Sequence, residues 1–191
     1  MSAASPHRMT AVEYLAWERE QRTKHEYHHG EVFAMAGGSP RHNLLSGEAI
    51  IQLGVATRGL GCRMLTSDQR VAFVSGDYVY PDAAVVCGEP KMQPSTTDVL
   101  LNPRVVVEVL SKGTEAFDRG EKWEGYQRLA SLTDYVLVSQ RAVRVEHYQR
   151  ATDGSWSYRT LAAGDVLTLS NGATIAIDAL YQGAFEYPGD T

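Results

Sequence analysis

Lysine is scarce in this sequence: the 18 basic residues divide into 14 Arg and only 4 Lys, against 23 Asp and Glu. The resulting formal charge of −5 excludes a protein that coats nucleic acid by bulk electrostatics, although it leaves room for a local basic groove. The arginine bias favours the planar fork that pairs bidentately with carboxylates and phosphates. Cysteine is nearly absent. Cys62 and Cys87 have no second cysteine close by in sequence, which argues against a disulfide framework or a zinc knuckle, and they are read as reduced core residues. No apolar run approaches the roughly 18 residues that span a bilayer, and residues 1–8 lack the apolar middle of a signal peptide, so the expected location is cytoplasmic. Nucleotide-triphosphate, dinucleotide and serine-hydrolase fingerprints are also missing. What remains, with 43% hydrophobic and 21% charged residues, is the composition of a globular chain. One domain over 1–191 is expected, with 1–8 and 188–191 flexible.

Thr10-Ala-Val-Glu13 has capping-box spacing and predicts a helix to about Glu20. His29-Gly30 separates His25–His28 from Glu31–Met35 and predicts a hairpin. Ser39-Pro40 supplies an N-cap and a first-turn proline for a helix over about 41–58. Cys62–Leu65, Arg70–Val74 and Tyr78–Val86 read as a meander of strands, and Gly88–Pro103 as a long surface loop. Arg104–Leu110, β-branched almost throughout, predicts a central strand. Glu115–Ala130 follows as a helix. Tyr135–Val138, Val143–Gln149, Trp156–Leu161 and Val166–Leu169 read as strands, and Asp178–Phe185 as a short terminal helix. Helices packed on one mixed sheet, an α/β or α+β arrangement, account for this order.

Chemistry is expected where charge interrupts apolar runs. Glu108 stands inside Val105-Val-Val-Glu-Val-Leu110, where burial of a charge costs several kcal/mol unless it is paired or metal-bound. A structural ion pair, or a strand end reaching solvent, is the plain alternative. Asp82 follows Pro81, which cannot join a sheet ladder and so predicts an edge, bulge or bend; alone it could be a turn carboxylate. Two carboxylates converging from adjacent strands suit Mg²⁺ or Mn²⁺, with water and phosphate oxygens completing the shell. Lys122 shares a helical face with Tyr126 and Leu129 and could turn toward the sheet, or pair with Asp118 at the surface. Lys112, just past the strand, is its rival.

Pro81-Asp82, Glu108-Val-Leu-Ser111 and Asp118-Arg-Gly-Glu-Lys122 together resemble the pattern of the bacterial Uma-two family of restriction endonucleases, within the PD-(D/E)XK nuclease superfamily. Tyr14-Leu-Ala-Trp17, His25-Glu-Tyr27, Gly30-Glu31, Gly37-Gly-Ser-Pro-Arg-His42 and Tyr135-Val-Leu-Val138 extend the resemblance along nearly the whole chain. It implies a restriction-endonuclease-like core of mixed sheet and flanking helices, with metal on Asp82, Glu108 and the carbonyl of Val109. The superfamily signature asks for lysine two residues after the glutamate; this chain has Leu110, and the Uma-two pattern points to Lys122 instead. Glu26 or Glu31 would be the extra carboxylate that some related nucleases take from an N-terminal element. His42 could meet a phosphate at a helix start or be a surface histidine.

The expected function is Mg²⁺-dependent hydrolysis of DNA phosphodiesters, with Asp82, Glu108 and Lys122 catalytic and a homodimer matching the two-fold symmetry of duplex DNA. The alternatives are a nuclease-fold protein that binds nucleic acid or protein without cutting, and a carboxylate pair acting on a sugar. Zinc on His25, His28 and His29 lacks partner ligands. The helical aromatics Tyr14, Trp17, Trp123 and Tyr126 are read as core before base-stacking groups.

Overall fold

The computed structural model describes residues 8–190. The N-terminal half opens with α1 (Ala11–Glu18), whose capping box pairs the Thr10 hydroxyl with the Glu13 N–H and the Glu13 carboxylate with the Thr10 N–H. A hairpin of β1 (His25–His28) and β2 (Glu31–Ala34) follows. It turns through His29 and Gly30, both at positive φ. The long helix α2 (Pro40–Ala56) is capped by Ser39 and carries proline in its first turn.

Next come β3 (Cys62–Thr66), β4 (Arg70–Ala72), β5 (Tyr78–Val79) and β6 (Ala83–Cys87). They do not form the expected meander. β3 pairs with β6, and β4 with β5. The expected strand Tyr78–Val86 divides at Pro81, whose missing N–H cannot continue a ladder, and its halves enter different sheets. The expected loop contains β7 (Val99–Leu100), parallel to β4.

β8 (Val105–Leu110) is central, antiparallel to β6 and parallel to β9 (Asp134–Ser139). The crossover between β8 and β9 is two short helices, α3 (Glu115–Arg119) and α4 (Glu121–Gln127). They are separated at Gly120, where a side chain would meet the Ala116 carbonyl oxygen at 3.0 Å; the single helix expected over Glu115–Ala130 is therefore corrected. β10 (Arg144–Arg150) and β11 (Trp156–Ala162) extend the sheet antiparallel. A small ribbon of β12 (Val166–Thr168) and β13 (Thr174–Ala176), α5 (Ile177–Leu180) and one turn of 3₁₀ helix complete the described chain.

The main sheet runs β11-β10-β9-β8-β6-β3, beside a five-stranded sheet β2-β1-β5-β4-β7. Alternation along β8 divides the core. Val105, Val107 and Val109 pack under α2, with α5 and the β12–β13 ribbon. Val106 and Leu110 face Tyr126 of α4 and the second sheet. Both faces of β8 are covered, which is why its apolar run is nearly unbroken. The fold is thus a mixed α+β arrangement with sheets flanked by helices.

One further expectation changes. Cys62 and Cys87, opposite one another across β3 and β6, form a disulfide and are not reduced core residues; a separation of 25 residues hides a partnership that strand pairing creates. Near the C-terminus, the Pro188 carbonyl accepts from the Arg41 N–H, and Asp190 from Gln140 and Lys112. The rest of the expected flexible ends, apart from Arg8, lies outside the described residues. Among those described, no helix is long and apolar enough to cross a membrane.

Candidate metal and phosphate site at the end of the central strand

Glu108 is even-numbered in β8 and therefore faces α4, where it is 3% exposed. Gly120 starts α4 so that Lys122, one turn beyond Asp118, also points inward. Lys122 Nζ lies 3.0 Å from Glu108 Oε1, 3.1 Å from Glu26 Oε1 and 3.6 Å from Asp118 Oδ1. The Tyr126 hydroxyl donates to Glu108 Oε1 at 3.1 Å. Glu26 reaches the cluster from β1, where its carboxylate also accepts the Tyr80 N–H and lies 3.6 Å from His28 Nε2. The strand break at Pro81 thus has a use: the freed Tyr80 amide binds the carboxylate brought by the second sheet.

Asp82 occupies the position where β6 stops pairing with β8, the last register pair being Ala83 with Val107. Its carboxylate replaces the missing ladder acceptor, taking the Val109 N–H at 2.7 Å. Since the N–H and C=O of one strand residue point to the same side, the Val109 carbonyl is directed toward the Asp82 edge as well. His42, in the first turn of α2, places Nε2 3.5 Å from Asp82 Oδ2. A side chain at Gly38 would strike the His42 ring at 2.7 Å, so this glycine makes room for the imidazole.

The electrostatics are unbalanced toward anions. Burial lifts the Glu108 carboxyl well above the ordinary glutamate range, Lys122 opposes this, and Asp118, Asp82 and Glu26 add to it. Burial raises Asp118 too, against Lys122 and the Thr114 hydroxyl. Glu26 goes the other way: burial would raise it, but Lys122, His28 and the Tyr80 N–H hold it down to about 2. Burial would discharge Lys122, yet Glu108, Glu26 and Asp118 outweigh that and keep its ammonium protonated far above the usual range. One ammonium serves three buried carboxylates, with Asp82 beside them.

That surplus fits a divalent cation, because bound metal would favour the ionised carboxylates that burial opposes. Among the described residues no three His, Cys, Asp or Glu side chains converge as a metal-ligand group. The donor set that fits is two carboxylates and a backbone carbonyl with water, the sparse protein shell that Mg²⁺ accepts.

Other expected residues fall elsewhere. Glu31 is on the hairpin's second strand, half exposed and 3.6 Å from Arg8, away from the Lys122 cluster. Lys112 lies in the loop after β8, where its N–H donates to Asp190. His25 is paired with Glu18 at 2.9 Å, and His29 is exposed near Asp77. Tyr14 and Tyr126 are fully buried core residues, whereas Trp17 and Trp123 are partly buried and pack against the core, Trp123 stacking on Tyr135. Asp118, Tyr126 and His28 were not assigned to the cluster from sequence, although Asp118, Lys122 and Tyr126 recur at four-residue spacing on one face.

The architecture and this buried acidic site define a nuclease-like fold. A crystal structure titled as "a putative nuclease belonging to DUF820" from Anabaena variabilis superposes with a TM-score of 0.75 at 14% identity, covering 92% of this chain and 99% of that one. The chain belongs to the Uma2 family, whose model, described as "Putative restriction endonuclease", matches residues 11–179. Relatives include two proteins of Synechocystis sp., each carrying the description "uncharacterized". Slr1290 is 38% identical over 92% of this chain and 93% of its own length. Sll1609 is 33% identical over 82% and 89%.

Proposed function

We propose that this protein is a Mg²⁺- or Mn²⁺-dependent endonuclease that hydrolyses DNA phosphodiester bonds, its metal held by Asp82, Glu108 and the Val109 carbonyl. The observation that carries the reading is the four-carboxylate, one-ammonium cluster at the end of the central strand. A bound divalent ion would supply charge neutralisation at phosphorus and a more acidic water.

The chain's own residues have distinct tasks. Lys122 remains protonated, so it orients the attacking water and offsets charge on the phosphate, and does not serve as a base. Glu26 and Asp118 position that ammonium. Tyr126 fixes the rotamer of Glu108 through its hydroxyl, and the Val109 N–H fixes Asp82. His42, 3.5 Å from Asp82, would meet a phosphate oxygen beside the metal. Attack forms a bond from water oxygen to phosphorus as the ester P–O bond breaks; the attacking water gives up a proton to bulk solvent, and the leaving oxygen takes one up from it. A two-fold dimer would present two such sites to antiparallel strands.

Calorimetric titration of Mg²⁺ and Mn²⁺ into wild type, Asp82→Asn and Glu108→Gln, with cleavage of single-stranded, nicked and duplex DNA by the same preparations, tests this. Both binding and cleavage should be lost in each variant while circular dichroism is unchanged. A folded wild type that neither binds metal nor cuts would overturn the proposal. It would leave a second reading, a nuclease-fold protein that binds nucleic acid or protein without cutting. The observation favouring that reading is that Lys122 and Tyr126 already occupy Glu108 Oε1.

A further inference from the structure

Beyond the metal-binding carboxylates, the loop after β8 and the end of β9 enclose a cavity of about 40 Å³ lined by Arg41, Lys112, Arg141, Gln140, Glu115 and Asp190. Two of its lining residues are chain neighbours of the site: Arg41 precedes His42 in α2, and Leu110 follows Val109 in β8. Three of the lining residues are basic. Glu115 is already matched by Arg119 at 3.5 Å and Arg141 at 3.4 Å.

The remaining acid is unusual in its origin. Asp190 comes from the C-terminal tail, and its Oδ2 accepts the Lys112 N–H and the Gln140 side-chain amide, both at 3.2 Å. Gln140 is buried and built in: its amide also donates to the Leu110 carbonyl, and its oxygen accepts from the Ser39 hydroxyl. Arg41 holds the strap above, donating to Ala184, Tyr187 and Gln140 carbonyls. A backbone N–H and a fixed amide converging on one oxyanion, in a cavity also lined by Arg41 and Arg141, are the elements of a phosphate site.

We infer that this cavity is a phosphate subsite for the DNA strand beside the scissile bond, and that Asp190 holds it in the free protein as an internal competitor. The inference rests on the nuclease reading for the identity of its ligand. A backbone phosphate entering here would displace the Asp190 carboxylate and take over the Lys112 N–H and the Gln140 amide.

The test uses the full chain without metal. Inorganic phosphate is titrated against wild type, Asp190→Ala and Asp190→Asn while amide NMR signals of Lys112 and Gln140 are followed, and a single-stranded oligothymidylate is titrated by fluorescence anisotropy. Both Asp190 variants should bind phosphate and oligonucleotide about fivefold more tightly, the size of one exposed charge contact, and adding Arg141→Gln to either should reverse the gain. Asn keeps the acceptor for the Lys112 N–H, so a purely structural tail contact would leave Asp190→Asn like wild type and would overturn the inference. So would phosphate shifts confined to residues outside the cavity. Phosphate binding here in a chain that cuts nothing would uphold the site and sink the nuclease reading; cleavage with no response to either Asp190 variant would do the reverse.

Discussion

Lys122 Nζ and Glu108 Oε1 are 3.0 Å apart, joined across the interface between a short helix and the central strand. Both side chains are almost wholly buried, at 5% and 4% exposure. The pair is not isolated: the same ammonium also contacts Glu26 and Asp118, so three elements of the fold meet on one charge.

Removing that charge strands three acids in the interior. Lys122→Met, which keeps the chain length and removes the ammonium, should lower stability by about 3–5 kcal/mol at neutral pH. Urea unfolding measures it. An unchanged midpoint would mean that the cluster relaxes into water and is not a closed network.

Gly125 lies in α4 against Phe73, whose ring would be 2.4 Å from an added Cβ. Phe73 is buried and meets Tyr126 edge-on at 4.9 Å. Gly125→Ala, favourable to an exposed helix, should here cost about 1–3 kcal/mol through overpacking. Tyr126 would shift with it, so thermal unfolding and cleavage should both fall. The double variant Gly125→Ala/Phe73→Leu should recover part of the stability.

The Cys62–Cys87 bridge joins an edge strand to its neighbour. Opening it with a thiol reductant should cost about 2–4 kcal/mol by restoring freedom to the unfolded chain. Reduced and oxidised samples compared by calorimetric melting give the value, and Cys62→Ala/Cys87→Ala should match the reduced sample. A cytoplasmic location, the expectation from sequence, would keep the pair in the less stable form.

Asp134, fully buried, accepts from His147 at 2.9 Å and from the Ser170 N–H at 3.0 Å. Burial alone would raise its carboxyl, but the bonds from His147, Ser170 and Thr133 prevail and lower it from 3.8. The unfolded chain therefore binds more protons in this range, so stability rises with pH. Asp134 contributes fully above about pH 3.8 and progressively less as pH falls through its lower folded value. Asp134→Asn should be less stable than wild type near neutrality, by about 1–3 kcal/mol. The gap should narrow in acid, as read by urea midpoints on both sides of that pH.

Local order was legible in the sequence because its causes are local. The Thr10-Glu13 box, the Ser39-Pro40 helix start, the His29-Gly30 turn and the β-branched run of β8 each act within a few residues, and all four stand in the structure. The carboxylate in an apolar strand likewise announced a compensated charge. The two halves of Tyr78–Val86 were harder, because Pro81 signals a break but not which sheet receives each half.

What the sequence determined by itself was the family, the positions of the short-range elements and the candidacy of Asp82, Glu108 and Lys122. The tertiary structure decided that Glu26 joins Lys122 while Glu31 does not, that Cys62 meets Cys87, and that Asp190 enters the cavity beside the site. The reason is physical: capping, turn geometry and strand alternation depend on neighbours in the chain. Those three pairings depend on how two sheets and a tail pack, and that is set by burial summed over the whole core.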